Sequence, residues 1–489
     1  MRFEGKIFLN GQLCDSASNG TFSVENPATG EVFAQAAQAT PEDVDHAVRL
    51  AREAFENRIW TGMDPLERTR ILCRAASLLR ERSEELADLM VQEHGMTRSY
   101  AEWLEIPMSA NALDYFATLI PNTGGQTVPF SLAGPQGDYL TFTQKEPVGI
   151  AGLITPWNFP LLMPVWKLGP ALAAGCPCIL KPAPETPFTS LFLAEILTEA
   201  GVPEGMIAVL PGGDDTGKAI VAHPQIPKIA FTGETTTGKN IMQAASGYLK
   251  RVTLELGGKS PNIIFEDANL EHAISGVLFG IFLNSGQVCQ AGSRILVHKS
   301  IHDDFVQQLA ERARALTIGP ADAMPDLGPV ISHEQQCRID GHVQNAIKAG
   351  AVLHAGGEKP TSPGYFYPPT VLSGVTPDMP IAQEEVFGPV SVVIPFEDEA
   401  EVLRIANGTL YGLAAAVWTS DLKRALRMTR NLQAGTVWVN TYQLLSPTLP
   451  FGGFKHSGLG RELGQQALEA YLETKSVIID LNDTPMQYF

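Results

Sequence analysis

The stretch "VGIAGLITPWNFPLLMPVWKLGPALAAGCPCIL", residues 148–180, joins two kinds of segment. Residues 148–154 and 176–180 are short apolar runs typical of buried strands, whereas residues 161–175 are a longer apolar run that ends in glycine and is typical of a helix. A buried strand, a helix and a second buried strand make the βαβ unit of a parallel sheet with helices on both faces. The stretch therefore predicts an α/β fold.

The same alternation extends along the chain in both directions. Upstream, short strands and turns fill residues 1–39, and Thr40 caps a helical region that continues to about residue 117. A Gly/Pro/Thr-rich segment with alternating apolar residues, 121–147, predicts a hairpin that projects from the body. Downstream, two α/β units joined near residues 256–270 are predicted. Their strands are expected at 206–212, 228–233, 251–258, 294–298, 391–395 and 435–440, and their helices at 190–201, 301–316 and 332–349.

Length, composition and charge narrow the class of protein. The chain has 489 residues, 44% of them hydrophobic and 18% charged, and a net charge of −18. A surface this acidic repels phosphate backbones and anionic lipids, so neither nucleic-acid nor membrane partners are expected. The N-terminus lacks the apolar core of a signal peptide. The six cysteines are scattered without paired spacing, which predicts no metal site and no disulfide framework and favours a cytoplasmic location.

One cysteine stands apart in the segment "NSGQVCQAGS", residues 284–293. Cys289 is surrounded by glycine, serine and glutamine, whereas a structural cysteine usually packs among aliphatic residues. Taken alone, such a thiol is more often inert than reactive, because reactivity needs access and a lowered pKa. Its place between the two predicted units, where ligands bind in open α/β sheets, favours a function.

Polar residues at the ends of predicted strands could serve that thiol. Asn158, in "TPWNFP", could bind an oxyanion together with the Cys289 amide, or it could only cap the next helix. Glu255 ends an apolar strand, where partial desolvation would raise its pKa toward that of a general base, although a surface glutamate is the alternative. Lys181, in the proline-rich "KPAPETP", could hold a ribose hydroxyl or a phosphate, or lie free in water. The glycine turn at Gly233 opens a helix whose N-terminus could bind a pyrophosphate.

Seven segments in order resemble the NAD(P)-dependent aldehyde dehydrogenase superfamily over essentially the full chain. They are "TPWNFPLLMPVWKLGPALAAG", "KPAPETP", "FTGETTTG", "LELGGKSPNIIF", "SGQVC", "QEEVFGP" and "PFGGFKHSGLGRELG". The resemblance implies a Rossmann-like cofactor domain, an α/β catalytic domain and a small β oligomerisation arm. It also implies the hydrolytic type of enzyme, because members that pass the acyl group to coenzyme A usually lack the base at Glu255.

The resemblance assigns a role to each candidate residue. Cys289 would be the nucleophile, Glu255 the general base, and Asn158 the oxyanion donor. The thiolate would add to an aldehyde, the thiohemiacetal would lose hydride to NAD, and water activated by Glu255 would hydrolyse the resulting thioester. A thiol pKa below that of free cysteine is expected on this basis. The cofactor-binding residues would be Lys181, Trp157, Gly233, Glu385 and Phe387.

Pro184 departs from the family pattern. Many members that use only NAD carry a glutamate three positions after the lysine, where it binds the ribose 2′-hydroxyl, and here that place is taken by proline. The change removes one repulsion against a 2′-phosphate. NAD is the preferred cofactor of this interpretation, and NADP stays open as the alternative.

The resemblance also outlines a substrate tunnel. Its lining is apolar and favours aliphatic or aromatic aldehydes, although a semialdehyde dehydrogenase is an alternative and Trp166 could equally be part of the core. A cofactor-free cysteine hydrolase and a non-catalytic structural protein are the rival interpretations. The tunnel residues are Phe159, Met163, Trp166, Leu444, Leu445 and Phe451.

The expected domain boundaries follow from these segments. Residues 1–120 and 148–256 would form the dinucleotide-binding domain, and residues 257–457 the catalytic domain. Residues 121–147 and 475–489 would form the oligomerisation arm. An exposed apolar β-edge pairs readily with another subunit, so a homodimer or homotetramer is expected.

Overall fold

A computed structural model describes residues 2–130 and 138–484. Strands β1 to β19 are, in chain order, Lys6–Leu9, Gln12–Asp15, Thr21–Asn26, Glu31–Ala37, Tyr139–Pro147, Ala151–Ile154, Cys178–Lys181, Ile207–Val209, Lys228–Thr232, Arg251–Glu255, Pro261–Ile264, Arg294–His298, Val352–Ala355, Thr370–Ser373, Val390–Phe396, Ala414–Trp418, Thr436–Val439, Gly458–Leu459 and Leu472–Asp480.

The helices alternate with these strands. Helices α1 to α16 are, in chain order, Pro41–Glu56, Pro65–Glu81, Ser83–His94, Arg98–Tyr100, Ile106–Leu119, Leu162–Ala174, Phe188–Ala200, Asp214–Ala222, Thr235–Ala245, Leu270–Phe282, His302–Ala315, His333–Lys348, Pro380–Gln383, Glu399–Asn407, Leu422–Asn431 and Gly464–Glu469. A π-helical turn, Ala101–Glu105, joins α4 to α5.

The first sheet has the strand order β18-β10-β9-β6-β7-β8-β1-β2. Strands β10, β9, β6, β7 and β8 run parallel, because the helices between them return the chain to the same edge. Strands β6, β7, β8 and β9 are buried along their whole length, as their apolar sequences require between two layers of helices. The carboxyl ends of β6, β7, β9 and β10 therefore lie along one edge.

The second sheet has the order β13-β14-β15-β12-β11-β16-β17 and is parallel except for β13. The chain enters this sheet at β11, directly after the glycines that follow β10. The two sheets confirm the predicted α/β fold, and the observed strands lie within a few residues of their predicted positions. The first sheet also includes β18, which comes from residues 458–459, after the predicted catalytic segment.

Strands β5 and β19 form a two-stranded antiparallel ribbon outside both large sheets. They pair from Leu472 opposite Pro147 to Asp480 opposite Tyr139. Part of the predicted hairpin is present, because Val128 N donates to Thr141 O at 3.2 Å. The remainder of that hairpin, residues 131–137, and the end of the predicted arm, residues 485–489, lie outside the described residues.

In residues 2–130 and 138–484, no helix combines the length and the apolar character that crossing a bilayer requires. The same residues contain no group of three or more His, Cys, Asp or Glu side chains placed to hold a metal ion.

Candidate active site

A cavity of about 190 Å³ opens where the carboxyl ends of β6, β9 and β10 face the loop before β12. The structure brings eight of the predicted site residues to its wall, although they are far apart in the sequence. They are Trp157, Asn158, Met163, Gly233, Glu255, Cys289, Glu385 and Phe387.

Two reciprocal hydrogen bonds hold the Asn158 loop against the Cys289 loop. Asn158 Nδ2 donates to Gln287 O at 2.9 Å, and Asn284 Nδ2 donates to Asn158 O at 2.8 Å. The Cys289 loop begins with three consecutive left-handed residues, Asn284, Ser285 and Gly286. Such backbone is unfavourable and persists only where surrounding contacts fix it, as in a preorganised site. The amide of Asn158 is thus fixed beside the thiol loop.

The Cys289 thiol lies in a negative environment. Burial raises its pKa above that of an ordinary cysteine, and the nearby carboxylates of Glu385 and Glu255 raise it further. Its Sγ donates a hydrogen bond to Gln290 Oε1 at 3.0 Å. The sequence-based expectation of a lowered pKa is therefore wrong for the protein without cofactor, because the thiol is buried and the carboxylates that act on it are negative.

Glu255 ends strand β10 and is almost fully buried. Among the residues that the structure describes, neither of its carboxylate oxygens has a hydrogen-bond partner. Burial raises its pKa well above that of an ordinary carboxyl group, and the neighbouring carboxylate of Glu462 adds to the shift. A carboxylate without bound donors keeps its lone pairs available for a proton, as a general base requires.

Lys167 and Glu462 form a buried ion pair beside Glu255 that sequence reasoning missed. Lys167 Nζ also donates to Thr232 Oγ1, at the end of β9, at 2.6 Å. A single lysine inside the otherwise apolar helix α6 was the available signal. Glu462 is 295 residues further along the chain, and no local pattern connects the two.

One end of the cavity carries the residues predicted to face the nicotinamide. Glu385 Oε1 accepts a hydrogen bond from Gly258 N at 2.9 Å, and burial raises the Glu385 pKa to about 7. The rings of Trp157 and Phe387 pack edge to face, with 5.3 Å between their centroids. Gln335, on helix α12, donates to Phe387 O at 2.8 Å and so fixes that loop. Sequence reasoning missed Gln335, since a polar residue on a surface helix carries no distinguishing pattern.

The backbone at Gly233 fits the close approach of a dinucleotide. A Cβ at Gly233 would lie 2.6 Å from the Phe231 ring, so the position admits no side chain. Helix α9 begins two residues later and directs its free N–H groups toward the turn.

Lys181 ends strand β7, one strand away from the thiol cavity. Its Nζ donates to Pro182 O at 3.1 Å, and burial lowers its pKa to about 8. Gly217 of helix α8 lies against its aliphatic stem. Pro184 is half-buried in the same loop. The structure therefore places both residues at the shared strand edge but outside the wall of the thiol cavity.

A second, narrow cavity of about 30 Å³ lies on the other side of Cys289. Four of the six predicted tunnel residues line it: Phe159, Met163, Trp166 and Leu445. Leu444 is not in its wall, because this side chain is 66% exposed. Phe451 is likewise absent from the wall, and its ring packs against the Trp166 ring with 5.5 Å between the centroids. Sequence reasoning missed four further apolar lining residues: Leu104, Met108, Leu162 and Leu283.

Comparison with known proteins gives one consistent result. The model of the aldehyde dehydrogenase family matches residues 14–477. The mitochondrial aldehyde dehydrogenase of Homo sapiens is 44% identical over 481 residues, which cover 98% of this chain and 92% of that protein. An aldehyde dehydrogenase of Emericella nidulans is 45% identical over 480 residues, covering 98% and 95%. The NAD+ complex of the Bacillus cereus aldehyde dehydrogenase superposes with a TM-score of 0.95 at 45% identity, covering 98% and 97%.

Proposed function

This chain belongs to the aldehyde dehydrogenase family and oxidises aldehydes to carboxylic acids with NAD, and from that premise we propose that Cys289, Asn158 and Glu255 carry the chemistry. The observation that supports the assignment is their arrangement around one cavity. A thiol, an amide donor and a carboxylate line the same cavity of about 190 Å³, and the carboxylate has no hydrogen-bond partner among the described residues. Recognition of the family, the fold and the cofactor from sequence is confirmed by the comparisons.

In the proposed mechanism, the Cys289 thiol releases its proton to water, and Sγ bonds to the carbonyl carbon of the aldehyde. Asn158 Nδ2 and the Cys289 N–H donate hydrogen bonds to the oxyanion that forms. NAD, when bound, would supply the hydride acceptor and a positive ring charge that favours the thiolate. Loss of hydride leaves a thioester on Cys289. Glu255 then takes a proton from water, whose oxygen attacks the thioester carbon, and the acid departs as Sγ regains a proton.

The residues that would hold the cofactor lie along or face the edge of the first sheet that the carboxyl ends of β6, β7, β9 and β10 form. Lys181 would hold the adenosine ribose, with Pro184 beside it, and Gly233 would admit the pyrophosphate. Glu385 and Phe387 would fix the nicotinamide ribose and ring, and Trp157 would complete the wall. Trp157, Lys181 and Gly233 lie at or just after the carboxyl ends of parallel strands, and Glu385 and Phe387 line the cavity that these ends form, which supports these roles.

The lining of the narrow cavity supports an apolar aliphatic or aromatic aldehyde as substrate. Phe159, Met163, Trp166 and Leu445 present hydrocarbon surface on the side of Cys289 away from the cofactor end. A second carboxylate, as in a dicarboxylic semialdehyde, would lose its hydration there without a charged partner among the lining residues.

The arm and the thiols support two further parts of the proposal. Leu140 and Ile479 are paired on β5 and β19 and are each about two-fifths exposed, which favours pairing of the ribbon with a second copy as a homodimer or homotetramer.

All six cysteines are free thiols, which favours a reducing compartment such as the cytoplasm. The first sheet would form the cofactor domain and the second sheet the catalytic domain.

A panel of aldehydes with NAD and NADP, followed by the absorbance of the reduced nicotinamide, tests the proposal. We expect turnover with apolar aldehydes and loss of at least about 10³-fold in Cys289→Ala, because the nucleophile has no substitute. Cys337→Ala removes an exposed thiol elsewhere and should leave turnover unchanged. Full activity in Cys289→Ala would contradict the mechanism, and ester hydrolysis without any nucleotide dependence would favour the cofactor-free hydrolase.

A further inference from the structure

Two side chains link the nucleophile to a distant backbone carbonyl. Cys289 Sγ donates to Gln290 Oε1 at 3.0 Å, and Gln290 Nε2 donates to Gln443 Oε1 at 2.8 Å. Gln443 Nε2 in turn donates to Gly280 O, in helix α10, at 3.2 Å. We refer to Gln290 and Gln443 as the amide relay. No part of the mechanism above uses it.

The direction of the amide relay is fixed from its far end. A backbone carbonyl can only accept, so Gly280 O requires the nitrogen of Gln443 and turns the oxygen of Gln443 toward Gln290. That oxygen requires the nitrogen of Gln290, which leaves the oxygen of Gln290 facing the sulfur. Both glutamines are more than nine-tenths buried, so water does not readily replace either partner.

The backbone around the amide relay is also held in place. Tyr442 Oη donates to Gln290 O at 2.8 Å. The Tyr442 ring packs on Gly280 and Gly292, where any Cβ would lie about 3 Å from the ring. Gln443 itself has a left-handed backbone with φ of 62°, which a residue other than glycine adopts only when its surroundings require it.

An oxygen fixed against the sulfur has a definite electrostatic effect. A hydrogen-bond acceptor stabilises the thiol and repels the thiolate, whereas an N–H donor would stabilise the thiolate. The ionisable groups that act on the thiol are Glu385, Glu255 and Glu462, and the thiol in turn acts on the phenols of Tyr100 and Tyr442. Every one of these groups is negative when ionised. Gln290 acts on the sulfur in two ways, because its backbone N–H favours the thiolate whereas its side-chain oxygen favours the thiol. The orientation of the Gln290 side-chain amide therefore decides whether the sulfur faces an acceptor there or a second N–H donor.

We propose that Gln290 and Gln443 are positioning residues that hold the Cys289 thiol protonated and at rest until the sulfur turns away from Gln290 toward a bound aldehyde. This inference rests on the proposed role of Cys289 as the nucleophile. It adds an amide relay that is separate from the catalytic groups and whose orientation is set by Gly280 O. Protection of the free enzyme from alkylation would be its direct consequence, because the thiolate is the reactive form.

Alkylation of the protein without cofactor by iodoacetamide, followed at the Cys289 peptide by mass spectrometry across a pH series, tests the amide relay. In Gln443→Leu the Gln290 amide loses its acceptor and is free to turn an N–H toward the sulfur. We expect the pH–rate profile to move about one unit lower, so that alkylation at about pH 8 is about tenfold faster. Gln290→Glu places a charged acceptor at the sulfur, and the profile should move in the opposite direction.

Gln336→Leu is the matched control, because this buried glutamine donates to a backbone carbonyl, Phe366 O, at 2.8 Å and lies outside the thiol cavity. It should leave the profile in place, and thermal unfolding shows that each variant is folded. A Gln443→Leu profile that coincides with the wild type, or shifts of the same sign in Gln443→Leu and Gln290→Glu, would overturn the relay. Turnover by protein fully alkylated at Cys289 would instead overturn the proposed function.

Discussion

At the scale of single residues, the proposed oxyanion role of Asn158 depends on the second hydrogen of its amide. Its Nδ2 has two hydrogens, of which one is used on Gln287 O. The second is available to the oxyanion. Removing one oxyanion donor typically costs 10²–10³ in kcat.

We therefore expect Asn158→Ala to lower kcat by about 10²–10³-fold with a much smaller change in KM, measured with a saturating apolar aldehyde and NAD. Asn440→Ala is a suitable control, since its Nδ2 binds Thr419 O away from the cavity. A kcat within about threefold of the wild type in Asn158→Ala would contradict the assigned role.

Pro184 is expected to influence the choice between NAD and NADP. It occupies the loop that follows Lys181, where a carboxylate would accept a hydrogen bond from the ribose 2′-hydroxyl and repel a 2′-phosphate. Pro184→Glu should therefore shift the ratio of kcat/KM for NAD over NADP by about tenfold or more in favour of NAD. Pro184→Gln keeps the hydrogen-bonding shape without the charge. Equal ratios in the two variants would show that position 184 does not face the 2′ position.

At the scale of elements, the start of helix α6 depends on a buried acid in the π-helical turn. Glu105 Oε1 accepts hydrogen bonds from Leu161 N and Leu162 N at 2.9 and 3.2 Å, while Oε2 has no partner within residues 2–130 and 138–484. Burial raises the Glu105 pKa from 4.5 to about 8. The Asn158 loop leads directly into this helix, so Glu105 fixes the position from which Asn158 acts.

The raised pKa of Glu105 makes a signed prediction for stability. Between pH 4.5 and about 8 the folded protein keeps this carboxyl protonated while the unfolded chain ionises it, so its contribution to stability falls as pH rises through that window. Glu105→Gln cannot ionise and should unfold at a Tm equal to the wild type near pH 4.5 and a few degrees higher near pH 8. The exposed Glu358→Gln is the control. A Tm difference independent of pH would contradict the assignment.

At the scale of the whole molecule, the β5–β19 ribbon carries apolar side chains that the subunit leaves uncovered. Leu140 and Ile479 face each other across the ribbon, with exposed fractions of 43% and 41%. A lysine pair there would place two charges in any interface formed by this surface. Leu140→Lys with Ile479→Lys should therefore shift the mass measured by sedimentation toward the monomer. Met324→Lys is the control, because it changes an apolar and more exposed residue elsewhere and should leave the mass unchanged. An oligomer that persists in the Leu140→Lys, Ile479→Lys variant would exclude the ribbon as the interface.

The sequence predicts the sheets well because each strand and helix carries its own periodicity. Strand β9, Lys228–Thr232, and helix α12, His333–Lys348, lie within a residue or two of their predicted ranges. Contacts between distant segments have no such local signal. The Lys167–Glu462 pair, the Gln290–Gln443 pair and the exposure of Leu444 each depend on how separate loops meet in three dimensions. The direction of the thiol pKa shift could not be predicted for the same reason, since it depends first on the burial of the sulfur and then on Glu385, which lies 96 residues from Cys289 in the chain.

The most direct test of the whole account is the mass of Cys289 during turnover in Glu255→Gln. This variant keeps the thiol and the oxyanion donors but removes the base that activates water, so acylation should continue while hydrolysis slows by about 10²–10⁴-fold. Quenched with aldehyde and NAD present, the Cys289 peptide should carry the added mass of the acyl group, in step with a single burst of reduced cofactor. Reduced cofactor formed over many turnovers with Cys289 unmodified throughout would contradict the covalent mechanism.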